Sequence, residues 1–79
     1  MPTILRVRGY RFFFFSRENG EPAHIHVESG DDYAKFWIHP VVVAESYGFN
    51  ATEIRRIRVM AEESSELLLE KWRERFGNR

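Results

Sequence analysis

The sequence predicts an α+β fold: an antiparallel meander of four to five strands followed by one long C-terminal helix packed on one sheet face. Three observations carry this. Apolar residues alternate with period two through most of the first half of the chain. Turn signals at Asn19-Gly20, Gly30-Asp31-Asp32 and Pro40 cut that half into short strands. From Asn50 onward the apolar spacing changes to three and four residues, the helical period. With 79 residues the chain holds one domain and has no room for a second core.

The elements follow in order. In residues 3–8, TILRVR, Thr3, Leu5 and Val7 point one way and Ile4, Arg6 and Arg8 the other. Gly9 interrupts as a bulge or tight bend. Residues 10–16, YRFFFFS, read as an aromatic strand with Phe12 and Phe14 on one face and Phe13 and Phe15 on the other. Two greasy faces predict a central strand covered on both sides. Residues 17–22, RENGEP, contain the strongest hairpin signal, Asn19-Gly20, and Pro22 closes the segment. In residues 23–29, AHIHVES, Ala23, Ile25 and Val27 oppose His24, His26 and Glu28. In residues 33–38, YAKFWI, Ala34, Phe36 and Ile38 oppose Tyr33, Lys35 and Trp37. Residues 41–49 predict a fifth short strand running into a loop.

Asn50 followed by Glu53 resembles a capping box. Ile54, Ile57, Ala61, Ser64, Leu68, Trp72 and Phe76 then form one stripe on a helix over residues 51–76, ended by Gly77. At 1.5 Å per residue that helix would be about 39 Å long. It either kinks near Ser64-Ser65 or carries its distal half onto a partner. Its stripe should cover the sheet face bearing Leu5, Val7, Ile25, Val27, Phe36 and Ile38.

Composition narrows the function classes. Twelve basic and twelve acidic residues balance to zero, which disfavours binding nucleic acid by bulk electrostatics. The charge is segregated: residues 1–17 carry four arginines and no acid, and residues 18–53 carry seven acids and one lysine. Local basic patches therefore remain open. The absence of cysteine excludes disulfides and thiolate metal sites and fits a reducing cytoplasm. Arginines interrupt the first apolar residues, which predicts no secretory signal. No apolar run reaches the ~20 residues of a membrane span.

The face opposite the expected core collects Arg6, Arg8, His24, His26, Glu28, Tyr33, Lys35 and Trp37. Three readings stand. The first is a metal site, since His-x-His-x-Glu puts two imidazoles and a carboxylate on one strand face about 6.5–7 Å apart. The second is metal-free acid–base chemistry on a phosphodiester. His24 and His26 would handle protons, Lys35 would stabilise charge, Arg6 and Arg8 would hold phosphate, and Tyr33 and Trp37 would stack bases. The third is a solvated strand face with no chemistry. The last two lead, and no metal or cofactor is expected. The Phe12–Phe15 run reads first as core. Arg55, Arg56 and Arg58 sit near a helix start, where the dipole disfavours cations, and read first as a solvated face. No phosphate loop and no nucleophile triad is visible.

The segments MPTIL, GYRFFFFS, EPAHIHVESGDDYAKFWI, Gly48-Phe49 and LLLEKW together resemble the small bacterial family catalogued as domain of unknown function 4160. The motif matches fall on His24, His26, Lys35 and Trp37, with Ala23 where the family commonly has proline. The resemblance implies a partner. Members often lie beside a second small protein (domain of unknown function 2442) in arrangements like type II toxin–antitoxin pairs. The expectation is a cytoplasmic module of such a pair that binds its neighbouring small protein and RNA, with a homodimer as a further form. The alternatives are a metal-independent ribonuclease using His24, His26 and Lys35, or a non-enzymatic structural or regulatory module.

Overall fold

Strand formation follows the alternation. In the structure, a computed structural model describing residues 3–15 and 20–77, five strands precede two helices. The strands are β1 (Thr3–Val7), β2 (Tyr10–Phe13), β3 (His24–Ser29), β4 (Asp32–Ile38) and β5 (Val41–Tyr47). They form one antiparallel sheet in sequence order, the expected meander.

Tight turns set the register. β1 and β2 are joined by Arg8 and Gly9, both at positive φ (50° and 86°), the geometry that matches strand twist in two-residue hairpins. Gly30-Asp31 joins β3 to β4, and His39-Pro40 joins β4 to β5. Asn19 lies outside the described residues, so the Asn19-Gly20 turn does too. β1 departs from strict alternation: a bulge between Thr3 and Leu5 leaves Ile4 and Leu5 both packed against the core. At the end of β5, Gly48 has φ 95°, and a Cβ there would run into the Asp32 carboxylate. Glycine is therefore required where the chain leaves the sheet.

The helical half corrects one expectation. There are two helices, α1 (Ala51–Glu63) and α2 (Ser65–Phe76), not one long one. Asn50 and Glu53 make the full capping box: Glu53 N–H donates to Asn50 Oδ1 (2.8 Å) and Asn50 N–H to Glu53 Oε1 (3.3 Å). The break is at Ser64, whose φ −107° and ψ 12° leave helical values. Its N–H still donates to Met60 O (3.1 Å), and Leu68 N–H donates to Ser64 O (2.9 Å), so the chain bends with little loss of hydrogen bonding. The reason is dimensional. A straight helix of about 39 Å would overrun a molecule whose longest Cα extent is 32 Å. Bending returns Leu68 and Trp72 to the core.

The helical stripe covers the expected face. Phe12, Phe14, Ile25, Val27, Ala34, Phe36 and Ile38 from the sheet side pack with Ile57, Met60, Ala61, Leu68 and Trp72 from the helices. No described helix is long and apolar enough to cross a membrane.

Candidate functional site

Register builds the second sheet face row by row. One row crosses the sheet as Arg6, Arg11, Glu28, Tyr33 and Tyr47. The next runs Phe13, His26, Lys35 and Glu45. The last holds His24, Trp37 and Val42. Strand alternation thus places His24, His26, Lys35, Tyr33, Trp37 and Arg6 on one face, as expected. Arg8 is not among them. It sits in the β1–β2 turn and borders a depression shared with Arg56 and Glu63 of α1.

Being on this face does not mean being in solvent. His24 is 0% exposed and His26 3%. Trp72 of α2 packs against Phe14 (5.4 Å between ring centroids) and His24 (4.9 Å). Phe15 lies over His26 at 3.9 Å, and Phe13 flanks it at 5.5 Å. Both faces of β2 are thus covered at Phe12 and Phe13, as expected, whereas Phe15 lies beyond the strand and is 36% exposed.

Both rings are held by hydrogen bonds. His24 Nδ1–H donates to the Pro22 carbonyl (2.8 Å), since a carbonyl oxygen can only accept. His26 Nδ1 shares a 2.7 Å hydrogen bond with the Tyr33 hydroxyl. Glu28 is drawn away from the histidines: Arg11 Nη1 donates to its Oε1 at 2.6 Å, while Arg11 Nε donates to Thr3 Oγ1. Arg11 also covers the Phe13 ring at 4.4 Å. The His-x-His-x-Glu set accordingly does not converge, and no metal-ligand cluster occurs among the described residues.

Lys35 is the third buried polar group among the described residues. Its Nζ donates to Glu21 Oε1 at 2.6 Å and stands 4.7 Å from the Trp37 ring centroid. The hydrogen bond from Lys35, aided by its charge, holds the Glu21 carboxyl below its ordinary range. The carboxylate also lies 3.7 Å from His24 Nδ1. Glu21 sits in a segment that reads only as turn, so nothing in the sequence marked it as the lysine's partner.

The solvent-facing part of the molecule lies elsewhere. β5 is the last strand of the sheet, with no described strand beyond it. It exposes Val42 (47%), Val43 (39%) and Tyr47 (62%). At its start a groove of about 590 Å³ opens between the strand ends and α2, floored by Trp37, Val42 and Leu69. The VVV run signals strand, and its period cannot show that no strand follows it.

A family model described as a domain of unknown function (DUF4160) matches residues 9–73. No curated protein and no solved structure matches the chain.

Proposed function

The chain belongs to the DUF4160 family, and from that premise we propose that it is the protein-binding module of a toxin–antitoxin-like pair, engaging a small neighbouring protein through the β5 edge. The observation that carries this is an edge strand with three exposed apolar side chains, Val42 and Tyr47 on the second sheet face and Val43, paired with Phe36, on the other. Natural sheets blunt such edges with charge, proline or cover, because unpaired backbone N–H and C=O groups recruit another chain. Small domains also commonly gain stability by association. The cysteine-free composition supports a cytoplasmic setting.

The test is co-expression with the small protein encoded beside it, followed by size exclusion with light scattering. A stoichiometric complex is expected, and Val43→Asp should release the partner while far-UV circular dichroism stays unchanged. A monodisperse monomer that ignores its neighbour overturns the reading. Growth on expression with and without the neighbouring gene assigns the toxin and antitoxin roles.

A second surface supports an RNA role. Tyr33 and Tyr47 stack at 6.1 Å, and the exposed Arg6 shares their cross-sheet row. Stacked aromatics on a sheet face are a platform for single-stranded bases, and Arg6 closes the far end of the row, three strands from Tyr33. Tyr47→Ala should weaken binding of a labelled single-stranded RNA, and an unchanged affinity removes this role. The ribonuclease alternative has less support: general acid–base catalysis needs both imidazoles within reach of the phosphodiester, and both rings are buried.

A further inference from the structure

Arg6 and Arg8 of the first hairpin and Arg55, Arg56 and Arg58 of α1 are exposed and make no ion pair among the described residues. Two of them meet. Arg8, in the β1–β2 turn, and Arg56 line one depression of about 330 Å³, together with Val7, Val59, Met60 and a single acid, Glu63. The Tyr10 hydroxyl donates to Glu53 Oε2 (3.4 Å) and ties this end of the hairpin to the start of α1. Glu53 Oε1 accepts from Asn50 N–H, so both oxygens of that carboxylate are engaged.

Both arginines stand against local preference. A two-residue hairpin with positive φ at both positions favours Asn-Gly or Gly-Gly, yet Arg8 holds the first position at φ 50°. α1 carries its three arginines in its N-terminal half and Glu62 and Glu63 at its end, with no base in the last turn. The helix dipole favours the opposite order. Two separate elements thus break local rules at one place, and chains otherwise consistent across levels do so at functional sites.

A guanidinium fork matches phosphate oxygens. Arg6, two residues before Arg8, and Arg55, next to Arg56, carry the cations past the depression on both elements. The ligand that fits therefore carries repeated charge. We infer that the depression between the β1–β2 turn and α1 holds the phosphodiester backbone of a nucleic acid. One phosphate sits between Arg8 and Arg56, and its neighbours meet Arg6 and Arg55. Because the chain as a whole is neutral, binding comes from these few contacts, and its salt dependence counts them. The site is separate from the β5 edge and from the Tyr33–Tyr47 pair and rests on neither.

The test titrates the full chain into a labelled single-stranded RNA and a labelled duplex DNA across a salt series, read by fluorescence polarisation. At least one should bind, with log affinity falling linearly against log salt. Arg8→Gly and Arg56→Gln should each lower that slope by about 0.7 on the single strand or about 0.9 on the duplex, one phosphate contact apiece. Glycine suits the positive φ of the turn, so Arg8→Gly should keep or raise the melting temperature while binding weakens. Glu63→Gln should strengthen binding. Arg58 is placed about 200° round the helix from Arg56, and Arg58→Gln should leave the slope unchanged. The tighter-bound nucleic acid identifies the source of the backbone, and either one supports the site. No binding to either, parental slopes in Arg8→Gly and Arg56→Gln, or affinity lost only in Tyr47→Ala overturns it. Binding of labelled polyglutamate in place of both nucleic acids also overturns it, in favour of an acidic protein.

Discussion

β3 and β5 invert each other. β3 presents two histidines on the face away from the helical core, yet both are buried. β5 carries three consecutive valines, yet Val42 and Val43 lie in solvent. Polar residues are inside and apolar residues outside, each against its type. Buried polar side chains are tolerated where every polar atom has a partner, and His24, His26 and Lys35 all have one in Pro22, Tyr33 and Glu21. Exposed apolar side chains gathered on one open edge mark a surface awaiting cover. The histidines thus read as interior structure and the valines as the working surface.

The strongest way to break this comparison is to uncover β3. Trp72→Ala removes the ring over His24 and Phe14, and should cost about 3–5 kcal/mol, enough to unfold much of so small a domain. Urea denaturation measures it, and a loss below about 1 kcal/mol would mean that Trp72 is not the cover. Next come the rings themselves. His24→Ala and His26→Ala should each destabilise by about 1–3 kcal/mol, because each strands a polar partner. If the histidines were surface residues, both changes would be nearly silent in thermal unfolding.

Glu21 gives a smaller, pH-dependent effect. Its carboxyl is held below the ordinary value of 4.5, chiefly by the hydrogen bond from Lys35. A carboxyl lowered on folding stabilises the native state above that ordinary value, and the contribution is lost as pH falls through the lowered one. Melting temperature should therefore decline below about pH 4.5, and part of the decline should vanish in Glu21→Gln. At neutral pH that substitution should cost up to about 1 kcal/mol, since the carboxylate is half exposed. An identical acid limb in the variant would remove Glu21 from the account. The smallest stability effect belongs to β5. Val43→Thr should change unfolding free energy by no more than about 0.5 kcal/mol, as surface substitutions do, while loosening partner binding. A larger loss of stability would put Val43 in the core.

Much of this was legible in the sequence, and the limits have physical causes. Period-two alternation gave four strands and a fifth running into a loop, with the faces of β3 and β4 but not the bulge that turns Ile4 of β1 toward the core, and Asn50 with Glu53 gave the start of α1, because these are local patterns with local causes. The break at Ser64 was one of two options left by a stripe that keeps helical spacing through the bend. The burial of His24 and His26 was not legible. Alternation assigns a face, and whether that face meets water depends on what lies across it. Here the covers are Trp72, about 50 residues away along the chain, and Phe15 from before β3. Arg8 was assigned to the wrong surface for a similar reason: a strand reading carried its direction past Val7, where the hairpin had already turned.

The account's central claim is that this domain works through β5 and keeps β3 for its own stability. Hydrogen–deuterium exchange on the full chain, alone and with the neighbouring small protein, tests it most directly. The account predicts that β3 amides are already slow in the free chain and change little. New protection should concentrate in Val41–Tyr47 and in α2 around Leu69. Protection gained mainly in His24–Ser29, or none gained in β5, would contradict it.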